Sequence, residues 1–200
     1  MAGISGIALD ILDRMEQQAK AAFYPGTSTK VREKRATLKL SREELLHDIA
    51  NMAYVEGDLI DSGNEHAAHQ VRDICEDGNR ERVLRVVDMA VAKCRERLYP
   101  YTREDAQDGT ELDNAPDEKE EYVISMLLPE DFSKTTLDYL NKLLHEYITC
   151  TALADWMGIA NIENEASADV WAAKSEEAQE QVMKIINLRR GRVRRTVSPI

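Results

Sequence analysis

Residues 134–157, KTTLDYLNKLLHEYITCTALADWM, are the stretch of sequence that decides the fold. Apolar residues recur in it at three- and four-residue steps, which is the spacing of an α-helix. Ser133 or Thr135 is predicted to cap its first turn. The apolar residues form a wide helix face, which predicts a central helix rather than a peripheral one. They are Leu137, Leu140, Leu144, Tyr147, Ile148, Leu153 and Trp156.

Further segments show helical spacing and are predicted to pack around this helix. They cover about 4–23, 41–60, 65–77, 80–98 and 165–188. The second begins with a capping box, in which the Ser41 hydroxyl accepts from the Glu44 N–H and the Glu44 side chain reaches back. Its inward residues are predicted to be Leu45, Ile49, Met52, Ala53 and Leu59. Gly78 and Asn79 are predicted to form a short turn, which makes the flanking helices antiparallel neighbours.

Two short segments have the composition of β-strands. Residues 122–128, YVISMLL, contain β-branched and aromatic residues and are closed by Pro129. Residues 37–40, TLKL, alternate polar and apolar positions and could pair with them. The predicted fold is therefore mainly α, a bundle of about six helices with one small β-strand pair.

The charge of the chain is uneven. Its net charge is −11 and its pI is about 4.9, which disfavours general binding to a phosphate backbone. Residues 189–195 hold five arginines and no acid, so the remainder of the chain carries −16. The predicted organisation is an N-terminal helix and basic linker (1–36), a helical domain (37–188) containing an acidic mobile loop (103–121), and an arginine-rich tail (189–200).

The cysteines and the hydropathy predict a cytosol-type protein with no membrane span. Cys75, Cys94 and Cys150 each lie in an apolar helical pattern, and an odd number without a disulfide framework predicts reduced thiols. No stretch approaches the roughly 18 uninterrupted apolar residues of a membrane span.

Two histidine patterns are candidate metal sites. His66, His69 and Asp73 fall on roughly one helix face and could ligate zinc, but a polar exposed face explains them as well and no fourth ligand is visible. His47 and Asp48 resemble the doublet of metal-dependent phosphohydrolases, but that site needs an earlier histidine and none precedes it. The sequence therefore predicts no metal ion.

A cluster of acids supports an alternative enzymatic interpretation. All-α nucleotide pyrophosphatases hold magnesium with paired carboxylates, and Glu44, Asp58 and Asp61 could serve that role here. However, Glu43 and Glu44 lie in a first helical turn, where the helix dipole alone favours acids. No glycine-rich phosphate loop and no nucleophile motif is present. The prediction is a protein with no catalytic residue and no cofactor.

The basic tail has three possible roles: binding nucleic acid, docking on an anionic partner surface, or forming a solvated end. Five charges without interleaved aromatic residues disfavour base recognition. Charge complementarity favours docking on an acidic surface, with apolar residues adding anchoring. The predicted partner-binding residues are Arg189, Arg190, Arg192, Arg194, Arg195, Val197 and Ile200.

The last 80 residues resemble the head-tail connector proteins of tailed bacteriophages. The resemblance lies in a strand YVISMLLP at 122–129, a helix with HEYI at 145–148 and ALADW at 152–156, a further helix starting ADVW at 168–171, and an arginine-rich end that closes with Ser-Pro-Ile. Those connectors are small helical proteins that form a ring, typically twelve-fold, beneath the portal.

The resemblance implies a structural virion protein, assembled in the host cytoplasm, that joins the portal to the tail around the DNA channel. Its partners would be copies of itself, the portal protein and other neck or tail proteins, while DNA passes without sequence-specific binding. Acidic lumen residues suit this role because they repel phosphate. The alternatives are the magnesium-dependent nucleotide pyrophosphatase and a cytosolic helical adaptor.

Overall fold

The computed structural model describes residues 33–60, 65–99, 101–102, 120–129, 132–160 and 165–189. These residues form two β-strands, five α-helices and one short 3-10 helix. In chain order they are β1 (Glu33–Ser41), α1 (Arg42–Asp58), α2 (Glu65–Arg72), a 3-10 turn (Asp73–Cys75), α3 (Asp77–Arg97), β2 (Glu121–Pro129), α4 (Lys134–Ala160) and α5 (Glu165–Arg189).

The mainly α class with a small strand pair is confirmed. The described residues contain five of the roughly six predicted helices, and the remaining one, 4–23, lies outside them. Residues 27–32 of the predicted linker and 103–119 of the acidic loop also lie outside the described residues. Residues 33–36, which the composition assigns to the linker, instead belong to β1 because β2 supplies their cross-strand partners.

The predicted turn at Gly78 and Asn79 is wrong in detail. Both residues lie inside the first turn of α3, and the break in the helical path falls earlier, at the 3-10 turn and Glu76. The Asn79 side chain donates to the backbone oxygen of Asp73 at 2.9 Å, and its backbone N–H donates to Glu76 at 2.8 Å. A side-chain bond of this kind is specific to the three-dimensional turn, and a glycine–asparagine pattern does not reveal it.

The two strands pair antiparallel in one continuous register, from Glu33 opposite Pro129 to Ser41 opposite Glu121. Since side chains alternate between the faces of a strand, one face of the sheet packs on the helices and the other is exposed. The buried face comprises Leu38, Leu40, Tyr122, Ile124, Met126 and Leu128. The sheet thereby closes one side of the helical core.

Helix α4 is the central element, as predicted. It packs against α1, α3, α5 and β1. The Ser133 hydroxyl accepts from the Thr136 N–H at 3.1 Å, which identifies Ser133 rather than Thr135 as the cap. The Trp156 side chain is only 7% exposed, and its indole N–H donates to the backbone oxygen of Val71 at 3.0 Å.

Two contacts fix the helices around α4. Helices α1 and α2 approach so closely at Gly57 that an added Cβ would lie 2.6 Å from Cγ of Arg72 and 2.9 Å from the backbone oxygen of Ala68. Helix α5 packs along α4, where the Ser175 and Thr151 hydroxyl oxygens are 2.8 Å apart. Both crossings therefore depend on small side chains.

None of the helices in the described residues combines the length and the apolar character needed to cross a membrane.

Replacing Trp156 by alanine is expected to lower the free energy of unfolding by about 3–5 kcal/mol, because the substitution leaves a cavity in the centre of the core. Trp156→Phe is the control, since it fills most of the volume but removes the N–H donor to Val71; the expected loss is about 1–2 kcal/mol. Urea unfolding followed by circular dichroism measures both. A loss below about 1 kcal/mol for Trp156→Ala would show that α4 is not central.

Candidate functional site

Helix α1 divides into a buried side and an exposed side, and the exposed side carries three of its five acids. Its buried residues are Leu45, Leu46, Ile49, Ala53 and Gly57. At about 100° per residue, the exposed positions fall within roughly a third of the helix circumference. We name this surface the α1 outer face, and it comprises Glu43, Glu44, His47, Asn51, Tyr54, Val55 and Asp58, continued by Leu59 just beyond the helix.

The N-terminal half of the α1 outer face is acidic. The predicted cap is present, with the Ser41 hydroxyl accepting from the Glu44 N–H at 3.3 Å. Glu43 and Glu44 follow in the first turn and are exposed, where the helix dipole stabilises their charge. Of the two hydrogen bonds of the predicted capping box, the structure shows the one from the Glu44 N–H to the Ser41 hydroxyl.

Two clefts flank this acidic half. One, of about 510 Å³, lies between α1 and α4 and is lined by Ser41, Glu43, Glu44, His47, Asp48 and His145. The other, of about 710 Å³, lies on the opposite side and is lined by residues that include Glu43, Cys75, Arg80, Glu120 and Glu121. The carboxylates outnumber the arginines in these linings, so the surface attracts cations and cationic side chains.

The His47-Asp48 doublet meets a second histidine that the sequence patterns do not predict. His145 Nε2 lies 2.8 Å from Asp48 Oδ2 and joins α4 to α1. Among the described residues, no group of three or more histidines, cysteines, aspartates or glutamates is placed to hold a metal ion. The contact is therefore a hydrogen bond between two helices.

The zinc candidates occupy the exposed side of α2. His69 Nδ1 lies 3.0 and 2.9 Å from the two carboxylate oxygens of Asp73. His66 is on the same short helix and is exposed. The spacing predicted from the sequence thus brings His69 to Asp73 as a hydrogen-bonded pair.

The magnesium candidates are not brought together. Glu44 and Asp58 stand at opposite ends of α1, about 21 Å apart along the helix axis. Asp58 forms an ion pair with Arg72, whose guanidinium also stacks 5.2 Å from the ring centroid of Tyr54. Asp61 lies outside the described residues. These positions do not allow Glu44 and Asp58 to bind one ion.

The three cysteines are free thiols in environments that disfavour the thiolate. Burial raises the pKa of Cys94 to about 12 and that of Cys150 to about 11, and it also raises the pKa of Cys75. A thiol with a raised pKa is protonated at neutral pH and is a poor nucleophile. These cysteines therefore act as core residues.

The C-terminal half of the α1 outer face is apolar, and sequence reasoning missed it. Tyr54 and Val55 are each 55% exposed and Leu59 is 77% exposed. The prediction that Leu59 points inward is wrong: Leu59 is the C-cap residue, just beyond the last residue of α1, and its side chain is exposed. Helical spacing assigns an inward side only to residues within a helix.

The predicted partner-binding residues lie almost entirely beyond the described part of the chain. Arg189 is the last residue of α5. The other six, Arg190, Arg192, Arg194, Arg195, Val197 and Ile200, lie outside the described residues. Their role therefore stays a prediction.

No known protein-family model, curated protein or solved structure matches this chain.

The His69–Asp73 pair makes a measurable prediction. Asp73 raises the pKa of His69 above its ordinary value of 6.5, through the hydrogen bond first and through its charge second. The folded state therefore favours protonated His69, and this contribution to stability is complete below pH 6.5 and is lost as the pH rises through the folded pKa. In an NMR titration, Asp73→Asn is expected to lower the His69 midpoint, whereas Asp77→Asn leaves it nearly unchanged. Equal midpoints in wild type and Asp73→Asn would contradict the pairing.

Proposed function

We propose that this chain is a structural subunit that assembles with copies of itself into a ring and acts as a head-tail connector between the portal and the tail of a tailed bacteriophage. One observation carries the proposal: an acidic helical body, with the exposed acids of α1, is joined to a tail of five arginines. Opposite charges on two separate parts of one chain suit contacts between unlike surfaces of neighbouring copies. Such heterologous contacts close into rings when the rotation between copies allows it.

The charge of the body also suits a DNA channel. Outside residues 189–195 the chain carries −16. A ring of such subunits repels phosphate, so DNA passes without sequence-specific binding. The proposed site of action is the virion, after assembly in the host cytoplasm, and a twelve-fold ring is the number that the connector resemblance implies.

The tail is the proposed contact to partners. Arginine forms bidentate pairs with carboxylates, so residues 189–195 fit an acidic surface on a neighbouring subunit or on the portal. Val197 and Ile200 add apolar contact, which an interface needs in addition to charge. Among the described residues of α5, the last buried one is Ile186, three positions before the tail begins.

A connector is not an enzyme, and the geometry of the acids supports that part of the proposal. Purified protein is expected to give no magnesium-dependent hydrolysis of nucleoside triphosphates above a no-protein blank, measured as released phosphate and pyrophosphate. Turnover that disappears in both Glu44→Gln and Asp58→Asn would favour the pyrophosphatase alternative and contradict the connector.

Removal of residues 189–200 tests the docking role of the tail. If the tail docks on a partner and not on its own subunit, the shortened chain is expected to keep its melting temperature within about 2 °C, but to lose assembly with itself and with portal and neck proteins. Assembly of the intact chain is expected to weaken as salt is raised from about 50 to about 500 mM, since salt screens charge pairs. Differential scanning calorimetry measures the melting temperature, and sedimentation velocity measures assembly and its dependence on salt. Equal assembly of shortened and intact chains would show that the tail does not dock.

A further inference from the structure

We propose that the α1 outer face is the docking site for residues 189–200 of a second copy of this chain. In this arrangement the tail arginines lie over the acidic half of the face, and Val197 and Ile200 lie over its apolar half. The inference rests on the proposed ring function and deepens it, because it names both surfaces of the contact between neighbouring copies.

The acidic half offers carboxylates that the subunit itself does not use. Glu43 and Glu44 are exposed and form no side-chain hydrogen bond or ion pair with the described residues. The two clefts beside them also contain Glu120 and Glu121 on one side and Asp48 on the other, of which Glu121 is paired with Lys39 and Asp48 with His145. An arginine guanidinium placed on Glu43 can form a bidentate pair with that carboxylate, and the other acids of the clefts add to the negative potential that attracts it.

The apolar half supplies a second and independent reason for an occupant. Three large apolar residues, Tyr54, Val55 and Leu59, are exposed within six positions of each other at the end of α1. Exposed apolar residues that are grouped on one surface indicate a contact with another protein. The tail carries its own apolar residues, Val197 and Ile200, after its arginines. The order of charged and then apolar residues in the tail therefore matches the order of acidic and then apolar residues along the α1 outer face.

The lengths of the two surfaces agree. From Glu43 to Leu59 the α1 outer face runs sixteen residues, which is about 24 Å of helix. From Arg192, in the middle of the arginines, to Ile200 is eight residues, which is about 26 Å of extended chain. A tail that lies along α1 in the same direction as the helix therefore places both of its halves on their complements at once.

Charge exchange in the full-length chain tests the acidic half. The face variant is Glu43→Lys with Glu44→Lys, and the tail variant is Arg192→Glu with Arg194→Glu. Each alone is expected to weaken self-association at least about tenfold, because like charges then meet, and the chain that carries all four changes is expected to recover to within about threefold of wild type. Sedimentation velocity over a concentration series gives the association constants.

A matched control separates this contact from a general effect of charge. Glu176→Lys with Glu177→Lys makes the same change of charge at two positions of α5, and we expect it to assemble like wild type. Glu43→Gln with Glu44→Gln removes the charges without reversing them, and its expected loss is smaller than that of the lysine variant. This neutral variant keeps the test valid if the lysine variant does not fold.

The apolar half has its own variants. Val55→Ser with Leu59→Ser is expected to weaken self-association about tenfold while leaving its salt dependence unchanged, because no charge is altered. Met89→Ser is the control, since Met89 belongs to a different helix, α3, and is 62% exposed. Assembly of the Val55 and Leu59 variant at wild-type strength would overturn the apolar part of the contact.

The outcomes distinguish this inference from the function on which it rests. If the tail variant loses assembly but the face variant keeps it, or if the four changes together fail to restore it, the tail docks elsewhere; the connector proposal then stands and the inference is overturned. If wild-type protein stays monomeric at low salt, with or without portal and neck proteins, both are overturned. Weaker self-association in both the face variant and the tail variant, with recovery in the chain that carries all four changes, would support the inference.

Discussion

The burial of α4 is the interaction on which the rest of the described fold depends. Helix α4 contacts α1, α3, α5 and β1, so each of these elements is positioned by the same helix. The Trp156 side chain reaches through the core to hydrogen-bond the α2 backbone, and the His145–Asp48 pair joins α4 to the start of α1. A single wide apolar face thus organises one core without a disulfide among the three free cysteines.

This burial has a direct consequence for the surface. Because α1 turns Leu45, Ile49 and Ala53 towards the core, the opposite side of the same helix faces outward, with Glu43 and Glu44 at its start and Tyr54, Val55 and Leu59 at its end beside the Asp58–Arg72 ion pair. The burial of one side of α1 therefore determines which of its residues lie on the α1 outer face. This division gives the described residues an extended surface with two chemically different halves.

An extended surface of this kind suits the assembly proposed above, because a partner segment can lie along it. Candidate acids such as Glu44 and Asp58 are held far apart by the rigid helix between them, whereas a partner segment can contact both ends at once. Electrostatic complementarity sets which surfaces meet and how fast, while the exposed apolar residues add the desolvation that holds them together. Contacts between unlike surfaces of neighbouring copies, such as the contact proposed above, generate a closed ring or a filament.

The sequence by itself determined the helical class, the central position of α4, the strand pair and the Ser41 cap, because helical spacing, strand alternation and capping are local properties of the chain. Only the tertiary structure decided that residues 33–36 extend β1, since their partners lie far along the chain in β2. The same holds for His145, which comes from α4 to meet Asp48. Leu59 shows the limit of periodicity: its spacing continues the inward stripe, but the helix ends one residue earlier and the side chain is left exposed. Where a helix stops and which distant elements pack together are decided by the whole fold, because they depend on contacts that no local pattern contains.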